Sequence, residues 1–184
     1  EFAGIVVAAG PDCTRFKAGD RVTAPFILGC GTCADCKSGR PTICDDQRLI
    51  GFTQWGAFAE LVPVQAADFN LVHLPDTVSD AQAAGMGCRV TTAWRGLHDR
   101  ADLQPGEWVV IHGCGGVGLS ASMLAMAMSA QIIAVDISDD ALTLAQQMGA
   151  HHTINAAGQD DLIAAIHDIT QGGAHVAIDA LGTA

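Results

Sequence analysis

The sequence predicts an α/β protein in two parts: a mostly β segment, then a parallel sheet wound on both faces by helices. Three observations predict it. Residues 1 to about 70 are short apolar runs separated by Gly, Pro and Asp turn signals. From residue 104 onward, apolar strands alternate with helical stretches, the pattern of βαβ units. Hydrophobic residues make up 49% of the 184 and charged residues 16%, which suits a compact, well-buried chain.

The elements follow in order. Ile5-Val6-Val7-Ala8 reads as a strand, closed by the turn Gly10-Pro11-Asp12. Residues 16–22 turn through Gly19-Asp20 into another strand, and 56–64 alternate as a further one. Ser79-Asp80 is a helix cap ahead of Ala81-Gln82-Ala83-Ala84, and 90–97 a second helical segment. After the turn Gln104-Pro105-Gly106-Glu107, strands at 108–112, 131–136, 152–155 and 175–179 alternate with helices at 117–129, 139–148 and about 160–170. No repeat or low-complexity stretch interrupts this.

Charge narrows the function classes. The net charge is −11, and phosphate backbones and anionic membranes need Lys and Arg, so nucleic-acid and membrane partners are excluded. No apolar run is long enough to span a bilayer. The N-terminal Glu1-Phe2-Ala3-Gly4-Ile5-Val6-Val7 has no signal-peptide pattern and no initiator Met, and reads as a strand entered midway. The chain is therefore expected to begin inside a longer one.

Four of the seven cysteines, Cys30, Cys33, Cys36 and Cys44, are spaced C-x2-C-x2-C-x7-C. Four thiolates at that spacing complete a tetrahedral zinc shell, and the spacing fits metal better than disulfides. With no open position for water or substrate, this zinc is expected to be structural. Metal-bound thiolates imply a reducing compartment, the cytoplasm. Gly31 and Gly39 supply permissive backbone around the loop, and Lys37 and Arg40 read as solvated surface.

In the second half, Gly113-Cys114-Gly115-Gly116-Val117-Gly118 satisfies G-x-G-x-x-G. The pattern alone is weak. Its context strengthens it: an apolar strand leads in, a helix leads out, and the next strand ends in Asp136. Gly113 permits the turn, Gly115 lets a pyrophosphate approach, and Gly118 lets helix pack on strand. The helix N-terminus offers unpaired N–H groups to the phosphates. Asp136 would accept from the adenosine ribose hydroxyls and repel a 2′-phosphate, and no Lys or Arg follows Arg100, so NAD is expected over NADP. Cys114 within the motif, and Cys13 with no partner nearby in sequence, read as fillers. The seven histidines form no metal-ligand pattern, and Trp55 and Trp94 read as core residues.

Together these segments resemble the zinc-dependent medium-chain alcohol dehydrogenases. Residues 1–6 look like the continuation of that family's G-H-E-x-x-G-x-V motif, entered at its Glu. Gly19-Asp20-Arg21-Val22 is similar to its G-D-R-V turn, and residues 83–94, Ala-Ala-Gly-Met-Gly-Cys-Arg-Val-Thr-Thr-Ala-Trp, to the segment carrying its third catalytic-zinc ligand. The resemblance implies a partial GroES-like catalytic domain over 1–89 and the first part of a Rossmann dinucleotide-binding domain over 90–184. It implies Cys88 as a ligand of a catalytic zinc, Glu1 as that zinc's acidic neighbour, and Thr92 against the nicotinamide. It places Gly113, Cys114, Gly115, Gly116, Val117, Gly118 and Asp136 on the adenosine and pyrophosphate, and Ala180 and Leu181 at the edge of the nicotinamide pocket. The implied activity is NAD-dependent oxidation of a small alcohol to an aldehyde or ketone, in a homodimer or homotetramer.

Departures from the family pattern accompany these matches. The family's other catalytic-zinc ligands and its hydroxyl relay would lie before Glu1, so the 184 residues alone are expected to be inactive. Ala141 stands where relatives carry a basic ribose-binding residue. Three rivals stay open: a zinc-free quinone reductase of the same superfamily, a polyol or amino-alcohol dehydrogenase, and a non-catalytic zinc module.

Overall fold

The computed structural model describes residues 1–182. The chain divides into two compact units, Glu1–Cys88 and the residues from Arg89 onward.

In the first unit the strands are two or three residues long and loops carry most of the chain. Strand β1 (Ala3–Ile5) pairs antiparallel with β2 (Arg21–Thr23), through Ala3 opposite Thr23 and Ile5 opposite Arg21. The turn between them closes where Gly19, at φ +96°, donates its N–H to the Val6 carbonyl at 2.8 Å. A second short ladder, β3 (Ile27–Leu28) on β4 (Arg48–Leu49), pinches off the cysteine loop. Within that loop lies one helical turn, α1 (Ala34–Lys37). Helix α2 (Ala67–Asn70) then leads into β5 (Val72–His73), which joins β2 as the third strand of the first sheet. Phe16, Val22, Ala24, Leu28, Ile50 and Leu71 form the core of this unit.

Helix α3 (Asp80–Ala84) starts where the sequence places it. The Ser79 hydroxyl accepts from the Gln82 N–H while the Gln82 side chain accepts from the Ser79 N–H, a capping box. The second helical segment is longer than its sequence pattern. It runs from Met86 to Arg100 as a π turn (Met86–Val90), α4 (Thr91–Trp94) and a second π turn (Arg95–Arg100).

Residues 56–64 form no strand. Ala57, Val62 and Val64 pack against the core of this unit, Phe58 is fully exposed and Leu61 66% exposed, and the segment has no ladder partner among the described residues. Alternation alone does not make a strand without an edge to pair with. Trp55 is 90% exposed and Trp94 43%, so neither is a core residue. Trp94 instead stacks on His98, one helical turn away.

The second unit is built on strands β6 (Trp108–His112), β7 (Gln131–Asp136), β8 (His152–Asn155) and β9 (Val176–Asp179), all parallel in the order β8-β7-β6-β9. Helices α5 (Gly116–Ala127), α6 (Asp139–Gln147) and α7 (Leu162–Thr170) connect them. Strand alternation sorts the core into two faces. Val109, Ile111, Ile132 and Ala134 pack with Ala121, Ala125, Leu142 and Ala145 from α5 and α6. Val110, Ile133 and Val135 meet Leu162, Ile166 and Ile169 of α7 on the other side. Both faces being covered explains why the strands are apolar without interruption. The chain winds outward from β6 through β7 to β8, then returns to β9 on the other flank of β6. That reversal opens a crevice beyond the strand C-termini, where such sheets bind ligands.

Cys13 has a partner that its sequence neighbourhood does not show. Asp68 of α2 accepts from the Cys13 thiol at 3.1 Å, the Thr14 N–H at 2.8 Å, the Thr14 hydroxyl at 2.6 Å and the Arg15 N–H at 2.9 Å. The Thr14 hydroxyl and the neighbouring N–H groups hold its carboxyl well below the ordinary 3.8. A depressed folded pKa stabilises above the unfolded value and loses that stabilisation as pH falls through the folded one. Asp68→Ala is therefore expected to lower the melting temperature at pH 7, with the gap to wild type closing as pH drops below about 4. Circular-dichroism melts across pH check this, and a pH-independent gap would overturn it.

Candidate functional site

The cysteine loop is built as a metal shell. All four Sγ atoms lie within 4.8 Å of one another. Cys30 and Cys36 approach to 4.0 Å and Cys33 and Cys44 to 3.8 Å. A zinc–sulfur bond of about 2.3 Å puts tetrahedral sulfurs about 3.8 Å apart, whereas a disulfide requires about 2.0 Å. The seven cysteines are all free thiols. Backbone N–H groups of Thr32 and Cys33 point at Cys30 Sγ at 3.4 and 3.3 Å, and that of Cys36 at Cys33 Sγ at 3.4 Å. Hydrogen bonds from the Thr32 hydroxyl and amide pull the Cys30 thiol down to about 6, while burial pushes Cys36 up to about 12. Four thiols this close do not all ionise without a cation between them, and a zinc ion fits that requirement.

Helix α2 fixes this lobe from outside. The Asn70 side chain accepts from the Gly29 N–H at 2.9 Å and donates to the Gly29 carbonyl at 2.9 Å. A Cβ on Gly29 would stand 2.8 Å from Cys36 Sγ and 2.9 Å from the Phe69 ring. Gly31 and Gly39 both take φ +78°, as the turn requirement predicts. Arg40 pairs with Asp35 at 2.8 Å on the surface, so its charge is spent outside the shell. Sequence reasoning missed Asn70 and Phe69, because nothing local marks a side chain that clamps backbone 41 residues away.

Near the end of the first unit, the Cys88 N–H donates to Glu1 Oε1 at 3.1 Å. Gly87 is buried between them, where a Cβ would meet the Ala24 carbonyl at 3.2 Å and Glu1 Cγ at 3.4 Å. The sequence-predicted pair is thus brought together. Cys88 joins no cluster of three or more metal-ligating side chains among the described residues. A catalytic zinc shell needs three protein ligands, and among the described residues no such set gathers around Cys88.

In the second unit the glycine loop sits at the switch point of the sheet. Gly113 has φ +93°, and a Cβ on it would stand 3.0 Å from Leu181 Cδ2 and 3.1 Å from the Ala180 carbonyl carbon. Ala180 is fixed there by its N–H donating to His112 O at 2.8 Å. A Cβ on Gly118 would lie 1.8 Å from the Gly113 carbonyl oxygen. Nothing lies within 4 Å of the Cβ position of Gly115, so the loop offers open space for a close-approaching anion. The Arg89 side chain lies over Gly116, the first residue of α5. Thr92 is exposed on α4, which packs on α5.

Asp136 closes the loop from β7. Its carboxylate accepts from the Cys114 N–H at 2.6 Å, the Ile137 N–H at 2.8 Å and the Ser138 N–H at 3.0 Å. The Cys114 N–H leads in holding its pKa below the ordinary value. Ser138, not Asp136, caps α6. Carboxylate oxygens accept about four hydrogen bonds in all, so capacity remains for a hydroxyl donor. Cys114 is buried, and burial first, then the Asp136 charge, push its thiol up to about 11. It packs in the core beneath the loop.

Comparison with known proteins agrees with both halves. Residues 1–76 match the family model of the alcohol dehydrogenase GroES-like domain, and residues 116–184 that of the zinc-binding dehydrogenases. An alcohol dehydrogenase of Moraxella sp. (strain TAE123) is 37% identical over 179 residues, 97% of this chain and 52% of that protein. One from Geobacillus stearothermophilus is 38% identical over 161 residues, 87% of this chain and 47% of that protein. The solved structure of alcohol dehydrogenase TADH from Thermus sp. ATN1 superposes with a TM-score of 0.94 at 31% identity, covering 100% of this chain and 54% of its own. The chain belongs to the zinc-type medium-chain alcohol dehydrogenase family, with a GroES-like part followed by a Rossmann part. It spans about half the length of the relatives it matches. No helix among the described residues is long and apolar enough to cross a membrane.

Two outcomes follow for these sites. Purified chain is expected to carry about one zinc, and Cys36→Ser to lose it together with a large drop in melting temperature, read by metal analysis and thermal melts. Unchanged zinc content would overturn the four-sulfur assignment. Gly118→Ala is expected to cost about 1–3 kcal/mol or more, since the new methyl meets backbone that cannot move aside. A denaturant midpoint equal to wild type would contradict that.

Proposed function

We propose that this chain carries the NAD-binding site, and one ligand of the catalytic zinc, of an enzyme that interconverts a small alcohol with its aldehyde or ketone. The observation that carries the reading is the convergence at the switch point. There, the left-handed Gly113, the open Gly115, the N-terminus of α5, Asp136 and Ala180–Leu181 form one cradle. Helix N–H groups and loop amides would hold the pyrophosphate. Asp136 would accept from the adenosine ribose. Its fixed charge, with no Lys or Arg after Arg100, disfavours a 2′-phosphate there and favours NAD over NADP.

Cys88 is proposed as one zinc ligand, with Glu1 tuning it from beside. The Glu1 carboxylate orients the Cys88 backbone through the 3.1 Å hydrogen bond. When bound, the zinc supplies Lewis acidity toward the alcohol oxygen and NAD supplies the hydride acceptor. Thr92, four residues after Cys88, is proposed to position the nicotinamide, and Ala180 and Leu181 to edge its pocket.

Fluorescence titration of the purified chain is expected to give at least tenfold tighter binding of NADH than of NADPH. Equal or tighter NADPH binding would overturn the cofactor assignment. In a protein of the relatives' full length, Cys88→Ser is expected to abolish alcohol oxidation while NADH affinity stays within about twofold of wild type. Turnover retained by that variant would remove Cys88 from the zinc site.

A further inference from the structure

Gly116 is a glycine that the dinucleotide motif does not require. The motif needs Gly113, Gly115 and Gly118, and leaves residue 116 open. Backbone conformation does not require it either, because Gly116 is absent from the positive-φ glycines of the chain. What a side chain would meet there is Arg89. A Cβ on residue 116 would stand 2.3 Å from Arg89 Cδ, 3.3 Å from Cγ and 3.2 Å from Nη1. The guanidinium therefore lies across the first residue of α5, beside the N–H groups of the glycine loop.

Charge gives that placement a purpose. From residue 101 to the end the sequence carries nine Asp and Glu and no Lys or Arg. One of those acids, Asp136, has its carboxylate 2.6 Å from the Cys114 amide within the loop itself. A dianionic pyrophosphate entering here meets backbone dipoles that attract it and a carboxylate that repels it. Arg89 is one of only three cations from residue 89 onward, with Arg95 and Arg100, and it is the one laid on the loop. Among the described residues its side chain is in no ion pair and no hydrogen bond, so its five donors are uncommitted.

Resting on the NAD-binding reading above, we infer that Arg89 binds the pyrophosphate of the dinucleotide, and that Gly116 is glycine to let its side chain reach there. Arg89 supplies planar, bidentate hydrogen bonds to phosphate oxygens and offsets Asp136. Its chain position adds a consequence. Arg89 directly follows Cys88, so the proposed zinc ligand and the cofactor anchor are bonded neighbours.

NADH titrations of the purified chain at two salt concentrations test this. Arg89→Gln is expected to weaken NADH binding about ten- to a hundredfold and to flatten its salt dependence, with an unchanged melting temperature. Arg89→Lys should recover part of the affinity as a point charge. Gly116→Ala keeps every charge and displaces the arginine, and is expected to weaken NADH binding in the wild-type background but to add little to Arg89→Gln, whereas an equal further loss in that background would mean the methyl acts on the cofactor directly. If wild type binds NADH and Arg89→Gln binds it equally with the same salt dependence, the role of Arg89 is overturned and the cofactor reading stands. If wild type itself binds no NADH, the cofactor reading fails and this inference with it.

Discussion

The last residue of the β6 turn and the first turn of α5 come closer than any side chain permits. At residue 118 a Cβ would stand 1.8 Å from the Gly113 carbonyl oxygen and 3.3 Å from an Ile111 methyl carbon. This approach organises the second unit. It draws the helix N-terminus onto the end of the strand and aims its free N–H groups into the crevice at the switch point. It also seats α5 deeply enough for Ala121 and Ala125 to reach the sheet, which is why that helix is rich in small residues. The tether from Asp136 to the Cys114 amide then holds the loop in place from the neighbouring strand.

The first unit solves a similar problem with sulfur. Its strands are too short to hold a lobe of this size by ladder bonds, so closure falls to four thiols that meet at tetrahedral spacing and to Asn70, which clamps Gly29 from α2. A shell of four sulfurs would leave a bound zinc no open coordination position for water or substrate. The same geometry weighs against a zinc-free quinone reductase. Among the described residues the four-sulfur cluster is the one group of metal-ligating side chains that closes a shell, while Cys88 is held against Glu1 through its backbone N–H.

Much of this was legible in the sequence. The C-x2-C-x2-C-x7-C spacing, the glycine motif between an apolar strand and a helix, and the βαβ alternation are all local patterns. Each was found where it was expected, because each is decided by residues near one another in the chain. The strand expected at 56–64 was not formed, and Trp55 proved exposed, since alternation and size say nothing about whether a partner surface exists. Cys13 looked solitary and proved to be bonded to Asp68, 55 residues away.

The sequence by itself determined the metal shell, the dinucleotide fold and the family, because ligand type, turn glycines and hydrophobic period are chemical facts of the chain. Only the tertiary structure decided what stands beside them. Asn70 on Gly29, Asp136 on the Cys114 amide and Arg89 over Gly116 are contacts between segments 22 to 41 residues apart. Such pairings arise from how elements pack, and no local signal records them. The glycine at 116 was in plain view in the sequence, and the arginine lying across it was not.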